Sequence, residues 1–102
     1  MQVRLAQLNY HIGNFDENVR KIVSEINSAK TDGVDLVVFS ELSVCGYPPR
    51  DFLEFEDFIS RCEKAIDEIA AECVGVAAIV GAPLRNQSPS GKGLFNAAFV
   101  LA

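Results

Sequence analysis

The segment "VDLVVFSELSVCGYPP", residues 34–49, contains a short apolar run that is followed at once by polar residues and two prolines. Its first six residues are rich in β-branched side chains without regular polar alternation, the pattern of a buried strand in a parallel sheet. Pro48 and Pro49 disfavour helix before them, so we predict a loop over residues 40–53 with at most a short turn. The segment therefore predicts the carboxyl end of a sheet strand opening into a loop.

Amphipathic helical patterns flank this segment on both sides. Upstream, Asn14 and Glu17 have the spacing of an N-cap and its N3 partner, and Gly33 supplies a helix-ending residue, which predicts a helix over residues 15–32. Its apolar stripe contains Val19, Ile22, Val23, Ile26 and Ala29. Downstream, a second stripe contains Phe58, Ile59, Cys62, Ile66, Ile69, Ala70 and Cys73. Both stripes predict helices that pack on a sheet.

Three more apolar runs complete the pattern. Residues 2–9 predict a strand near a sheet edge or covered on both sides, and residues 74–83 predict a buried strand ended by Pro83. Residues 94–102 predict a fourth strand, paired with the third as a hairpin because only turn formers and charges separate them. The order β-α-β-α-β-β predicts an α/β class, with both helices able to share one face. Because the sequence stops inside an apolar strand, we expect residues 1–102 to be the first half of a larger domain.

Composition narrows the class of protein. With 102 residues and 49% hydrophobic residues, the chain is one small globular unit at most. The net charge of -5 argues against nucleic acid as a partner. No apolar run reaches the length of a membrane span, and the N-terminus lacks signal-peptide features. Three cysteines without metal-ligand spacing predict free thiols and a cytoplasmic location.

Glu41 is the strongest candidate for chemistry. It lies two residues past a predicted buried strand, and open α/β sheets place their ligands at the carboxyl ends of strands. A carboxylate that is partly desolvated at this place suits proton transfer near neutral pH. The alternative is an ordinary loop glutamate that caps a turn.

The sequence also resembles a known family. Residues 36–53, "LVVFSELSVCGYPPRDFL", resemble the E-L-x-x-x-G-Y-P-P-x-D segment of the nitrilase-like glutaminase domain of glutamine-dependent NAD synthetases. Residues 5–22 resemble the first strand and helix of that carbon–nitrogen hydrolase domain, and residues 94–101 resemble its strand with an N-x-A element. Ser40 departs from the proline that many members of the superfamily have. The resemblance implies the first half of a nitrilase-type αββα sandwich.

The resemblance also implies roles. In the family a Glu, a Lys and a Cys act together, which implies that Glu41 is the general base and that Tyr47 lines the glutamine pocket. A tyrosine packed under the loop is the alternative for Tyr47. The family's lysine and nucleophilic cysteine come after the last strand of this sequence, so we predict that the 102-residue chain alone is inactive.

For the parent protein, the resemblance implies hydrolysis of glutamine through a thioester. The released ammonia would pass to a C-terminal synthetase domain that uses ATP and Mg²⁺ to aminate nicotinic acid adenine dinucleotide to NAD. Family members usually assemble as homo-oligomers. Two alternatives stay open: another small-amide or carbamoyl amidase of the superfamily, and a non-catalytic truncated scaffold that binds a partner.

Other candidate residues favour structural interpretations. Cys45 lies in the loop of Glu41 and is interpreted as a packing residue, as are Cys62 and Cys73. Lys92 belongs to a predicted hairpin turn, where "SGKG" lacks the full phosphate-loop pattern. His11 has no ligand partner at metal spacing. The acidic residues around the second helix start fit the positive end of its dipole and predict no metal site; they are Asp51, Glu54, Glu56 and Asp57.

Overall fold

A computed structural model describes residues 1–47, 49–86 and 93–102. Its strands are β1 (Val3–Ala6), β2 (Leu36–Phe39), β3 (Ala77–Arg85) and β4 (Leu94–Leu101). Its α-helices are α1 (Phe15–Thr31) and α2 (Glu56–Glu72), and a short 3₁₀ helix covers Arg50–Glu54. The predicted order β-α-β-α-β-β is confirmed. Within the described residues, no helix combines the length and apolar character that crossing a bilayer requires.

The four strands form one sheet in the order β1-β2-β3-β4. The first three strands are parallel, and β4 pairs with β3 in the predicted antiparallel hairpin. Residues 87–92 of the hairpin connection, including Lys92, lie outside the described residues. Parallel neighbours require a long crossover connection, usually a helix, which explains why α1 and α2 alternate with the first three strands.

Both helices lie on the same face of the sheet. They contact one another, α1 contacts β2 and α2 contacts β3. On this face the side chains of Val37, Ala78 and Val80 are fully buried against helix residues such as Ile26 and Ile69. The core therefore lies between the sheet and one helical layer.

The opposite face of the sheet is bare as far as the described residues go. Leu5 pairs with Val38, Val38 with Ile79, and Ile79 with Val100, so these four side chains form one row across the sheet. At the ends of the row, Leu5 is 75% exposed and Val100 is 70% exposed. The two helices therefore share one face of the sheet, as the sequence pattern allowed.

The ends of α1 agree with the sequence pattern. The Asn14 side chain accepts a hydrogen bond of 3.2 Å from the Glu17 backbone N–H, which satisfies one of the free donors of the first turn. Glu17 does not complete a reciprocal box, because its carboxylate pairs with Arg20. Gly33 follows the helix with a φ of +73°, as a left-handed residue must to redirect the chain.

The predicted end of the third strand at Pro83 is wrong, because β3 continues to Arg85. Pro83 is opposite Asn96 of β4 in the ladder. Because Pro83 is two residues beyond Gly81, the backbone groups of both residues point to the same side of β3. The N–H and C=O of Gly81 point away from β4, towards Ser43 and Val44. The N–H that proline lacks would therefore point past the end of β2, so its loss removes no bond to β4.

Candidate active site

A turn over residues 41–45 directly after β2 places Glu41 above β3. Leu42 within it has a φ of +51°, an uncommon conformation for a leucine. The turn passes so close to β3 that a Cβ on Gly81 would lie 2.4 Å from the Leu42 nitrogen and 3.2 Å from the Glu41 Cα. A glycine at position 81 is therefore what permits this path of the chain.

The turn is hydrogen-bonded to the free edge of β3. The Val44 N–H donates to the Gly81 carbonyl at 3.1 Å, and the Gly81 N–H donates to the Ser43 hydroxyl at 3.2 Å. Ser43 is completely buried. These bonds pair the backbone of β3 where β2 has ended, and they fix the turn relative to the sheet.

On its other side, the turn is tied to the segment that precedes α1. Asn18 is completely buried; it accepts from the His11 N–H at 2.9 Å and donates to the His11 carbonyl at 2.8 Å and the Val44 carbonyl at 3.2 Å. Gly46 has a φ of +87°, and a Cβ there would lie 2.8 Å from the Ile12 Cα. The backbone around Glu41 is thus fixed from two directions.

The Glu41 side chain contacts β4. The Asn96 Nδ2 donates to Glu41 Oε1 at 2.6 Å. Glu41 is nevertheless exposed, because it borders the bare sheet face, which no described residue covers. The partial desolvation expected for its carboxylate stays a prediction.

Glu41 separates two hollows. One, of about 330 Å³, is lined by Leu8, Asn9, Tyr10, Ser40, Glu41 and Tyr47. The other, of about 250 Å³, lies on the bare face of the sheet and is lined by residues that include Glu41, Gly81 and Asn96. We refer to the first hollow as the cleft. Tyr47 is 67% exposed, so its interpretation as a tyrosine packed under the loop is wrong. The structure brings Glu41 and Tyr47 to the same cleft.

Tyr10 is a cleft residue that the sequence reading did not single out. Its hydroxyl oxygen is buried and makes no hydrogen bond of standard geometry to the described residues. Burial raises the pKa of Tyr10 to about 12, and the nearby Ser40 side chain offsets part of the rise. Tyr10 therefore remains a neutral hydroxyl throughout the physiological range.

The cysteines are packing residues, as predicted. All three are free and buried. Cys45 directs its thiol to the carbonyls of Leu42 and Gly46, at 3.8 Å and 3.5 Å. A hydrogen bond to Cys45, together with burial, raises the pKa of the Cys62 thiol, and burial raises that of Cys73. The same contact with Cys62 lowers the pKa of the Cys45 thiol, so the argument against Cys45 as a nucleophile is its complete burial and not its protonation. For Cys62 and Cys73, a buried thiol that stays protonated is a poor nucleophile.

The remaining candidates keep their structural interpretations. Glu56 and Asp57 lie in the first turn of α2, where the helix dipole favours them. His11 is exposed, and its backbone rather than its ring contacts Asn18. Across residues 1–47, 49–86 and 93–102, no three His, Cys, Asp or Glu residues cluster closely enough to bind a metal ion.

Sequence reasoning missed the residues that support Glu41. Gly81 interrupts an otherwise apolar strand, and Asn18 stands beside the apolar stripe of α1. Both are signals of close backbone approach or of a buried polar bond. Asn96 was noted only as part of an N-x-A element. None of these signals identifies the partner across the turn, because the contacts of Asn18 with Val44, Gly81 with Ser43 and Asn96 with Glu41 join residues 26, 38 and 55 positions apart.

Comparison with known proteins places this arrangement in a family. The sequence pattern of the Carbon-nitrogen hydrolase family matches residues 2–102. The chain is 35% identical over 102 residues to a glutamine-dependent NAD(+) synthetase of Xylella fastidiosa, covering 99% of this chain and 18% of that protein. It is 41% identical over 68 residues to the corresponding enzyme of Acinetobacter baylyi, covering 67% of this chain and 13% of that protein.

Solved structures agree on the fold. The glutamine-dependent NAD+ synthetase of Acinetobacter baumannii superimposes with a TM-score of 0.83 and 38% identity, over 96% of this chain and 18% of that one. The synthetase of Cytophaga hutchinsonii superimposes with a TM-score of 0.88 over 97% of this chain and 16% of that one; its 24% identity supports the fold alone. The predicted start of a nitrilase-type fold is confirmed. The chain spans less than a fifth of the length of these synthetases, and it belongs to the carbon-nitrogen hydrolase family.

Proposed function

We propose that this chain is the N-terminal part of the glutamine-hydrolysing domain of a glutamine-dependent NAD synthetase. The observation that carries the proposal is the Glu41 carboxylate, which a fixed turn presents at the cleft directly after β2. The identity of 35% to a synthetase over 102 residues supports the same assignment. Domain, substrate and product are inferred from that similarity, because the chain spans 18% of that relative.

In this proposal Glu41 transfers protons. It takes the proton of a cysteine thiol that lies outside these 102 residues, and the thiolate attacks the side-chain carbonyl carbon of glutamine. Glu41 returns the proton to the amide nitrogen, so the C–N bond breaks, ammonia leaves and a thioester remains. Water then attacks the thioester; Glu41 takes a proton from the water and returns it to the sulfur as glutamate leaves. The family's lysine would stabilise the oxyanion of each addition.

Tyr47 is proposed to bind the substrate. Its side chain is exposed at the cleft that contains Glu41, and a phenolic hydroxyl can both donate and accept a hydrogen bond. A substrate that reaches the Glu41 carboxylate from this hollow passes beside the tyrosine. Tyr47 therefore orients glutamine rather than transferring a proton.

The proposal includes partners outside this chain. The ammonia would be used by a C-terminal synthetase domain, and ATP and Mg²⁺ are assigned to that domain from the similarity to glutamine-dependent NAD synthetases. A homo-oligomeric assembly and a cytoplasmic location remain predictions. No step described above requires either of them.

The function is tested in the full-length protein by measuring ammonia release from glutamine and ATP-dependent formation of NAD. We expect the wild type to perform both reactions. Glu41→Gln removes the base while retaining the side-chain shape, so glutamine hydrolysis should fall by about 100-fold to 10,000-fold. Glu54→Gln makes the same change at an exposed residue of the 3₁₀ helix and should leave the rate unchanged. An unaltered rate in Glu41→Gln would contradict the role of Glu41.

A second candidate is a small-amide amidase without a synthetase domain. The match to the carbon-nitrogen hydrolase family as a whole favours it. So does an amidase of Nesterenkonia, which superimposes with a TM-score of 0.74 at 21% identity; the superposition covers all of this chain and 41% of that protein. A full-length protein that hydrolyses small amides but neither glutamine nor ATP would establish this alternative. A protein that hydrolyses no amide would favour the non-catalytic scaffold.

For the 102-residue chain by itself, we predict no glutaminase activity. Cys45, the thiol nearest to Glu41 in sequence, is fully buried and directed at backbone carbonyls. The measurement is ammonia release by the purified chain, with the full-length protein as the positive control. Cysteine-dependent turnover by the chain alone would contradict this prediction and would identify Cys45 as a nucleophile.

A further inference from the structure

The contact between Asn96 and Glu41 is a tertiary contact made at the candidate site. Glu41 lies after β2, Asn96 lies on β4, and β3 separates the two strands. The hairpin register places Asn96 opposite Pro83, two residues beyond Gly81, over which the Glu41 turn passes. The amide thus reaches the carboxylate from the bare face of the sheet.

The chemistry of the two groups fixes the direction of this bond. A carboxylate only accepts, so Asn96 must present its NH₂ group, and the distance of 2.6 Å from Nδ2 to Oε1 is that of a short, charge-assisted bond. Such a bond occupies one carboxylate oxygen and restricts the rotation of a side chain that is otherwise exposed. In the proposed reaction, the second oxygen is then the one that accepts a proton.

The surroundings make Asn96 the principal partner of Glu41. Apart from Ser40, the described residues that line the hollow with this pair are apolar or glycine, among them Ile79 and Ala98. The backbone of Glu41 is fixed by the turn, but backbone bonds do not choose a rotamer. Among the described residues, Asn96 of β4 supplies the side-chain donor that does so from this direction.

We propose that Asn96 is a positioning residue: it binds Glu41 Oε1, selects the rotamer of the carboxylate and leaves Oε2 available for proton transfer. This inference rests on the function proposed for Glu41. It assigns to the β3–β4 hairpin a part in the site, because the hairpin register determines where the amide lies.

Steady-state kinetics of the full-length protein test the role. Asn96→Ala removes the donor. Asn96→Asp retains the shape of the side chain but places a carboxylate oxygen, which only accepts, against the Glu41 carboxylate. Both should lower kcat for glutamine by about 10-fold to 100-fold, the range expected for a hydrogen bond to a charged group. KM should change by less than about twofold, because Asn96 acts through Glu41 and not through substrate. Asn96→Gln retains the NH₂ group and should recover part of kcat.

Two controls separate positioning from a structural role. Asn27→Asp makes the same chemical change on an exposed position of α1 and should leave kcat unchanged. Thermal midpoints of the Asn96 variants should stay close to that of the wild type. A wild-type kcat in Asn96→Ala would overturn the inference. So would a raised KM together with a lowered thermal midpoint, if Asn96→Gln restored neither.

Crystal structures of the full-length wild type and of Asn96→Ala test the hydrogen bond between Asn96 and Glu41 independently of activity. In the wild type we expect Glu41 in one rotamer with Oε1 bonded to Asn96, and in the variant we expect a different or multiple rotamer. An unchanged Glu41 rotamer in the variant would overturn the inference. A wild type that retains the contact but hydrolyses no glutamine would instead contradict the proposed function and leave the positioning of Glu41 supported.

Discussion

Gly81 is the residue whose replacement tests the path of the Glu41 turn most directly. A Cβ at this position would lie 2.4 Å from the Leu42 nitrogen, and backbone cannot move aside as a flexible side chain can. We expect Gly81→Ala to lower the free energy of unfolding by about 1–3 kcal/mol, as overpacking does, and to displace Glu41. Chemical denaturation measures the first effect, and glutamine hydrolysis by the full-length protein measures the second.

Gly93 provides the matched control. A Cβ there would meet no atom of the described residues within 4 Å, so Gly93→Ala should change the free energy of unfolding by less than about 0.5 kcal/mol. Equal effects of the two substitutions would show that the turn does not pass over Gly81 as closely as the geometry indicates.

Tyr10 gives a prediction for alkaline pH. Its pKa is raised from 10.0 to about 12 chiefly by burial, so the unfolded chain ionises this phenol at lower pH than the folded chain does. The stabilisation linked to Tyr10 is therefore fully present below pH 10.0 and is lost as the pH rises towards about 12. Phenolate absorbance, taken as the difference between the wild type and Tyr10→Phe, should show a midpoint near 12.

Unfolding curves supply the second measurement for Tyr10. Between pH 10.0 and about 12, the free energy of unfolding should fall more steeply in the wild type than in Tyr10→Phe. A phenolate midpoint at the ordinary value of 10.0 would mean that the hydroxyl is not buried in solution.

At the scale of elements, Asn18 joins α1 to two loops. Its side chain makes three hydrogen bonds, to the N–H and C=O of His11 and to the C=O of Val44, in a fully buried position. Asn18→Ala would leave these backbone groups without that partner. We expect a loss of about 2–3 kcal/mol in the free energy of unfolding, measured by chemical denaturation.

Asn27→Ala is the control for this prediction, since Asn27 is an exposed asparagine on the same helix. It should cost less than about 0.5 kcal/mol. A small effect of Asn18→Ala, similar to that of Asn27→Ala, would show that the two loops are fixed without the buried amide.

The elements themselves were predictable because their signals are local. The stripe of Ile22, Ile26 and Ala29 recurs at helical spacing, and Asn14 caps the helix as its type and position indicate. The end of β3 was not predictable in this way. Whether Pro83 ends a strand depends on whether its nitrogen faces a neighbouring strand, and that is decided by the lengths of β2 and β4.

At the scale of the whole molecule, the bare sheet face predicts association. The row from Leu5 to Val100 exposes apolar side chains on a flat surface, and extended apolar patches seldom stay solvated in monomers. We expect the 102-residue chain to associate with increasing concentration. Analytical ultracentrifugation should show a marked decrease in association when Leu5→Lys and Val100→Lys are combined.

Val74→Lys is the matched control for the open face. Val74 is 74% exposed but lies between α2 and β3, outside the sheet. Its substitution adds one positive charge without altering the row, so it should leave association nearly unchanged. A chain that stays monomeric without any substitution would contradict the prediction.

The sequence by itself determined the class of fold, the order of its elements and the place of Glu41 after a strand, and the family resemblance made Glu41 a candidate base. Periodicity, caps and the residue after an apolar strand are properties of neighbouring residues, and they can be read directly. Only the tertiary structure decided what surrounds Glu41: Gly81 beneath its turn, Asn18 behind it, Asn96 on its carboxylate and Tyr10 in its cleft. These contacts join residues far apart in the chain, because sheet register and close packing, not local propensity, choose which side chains meet.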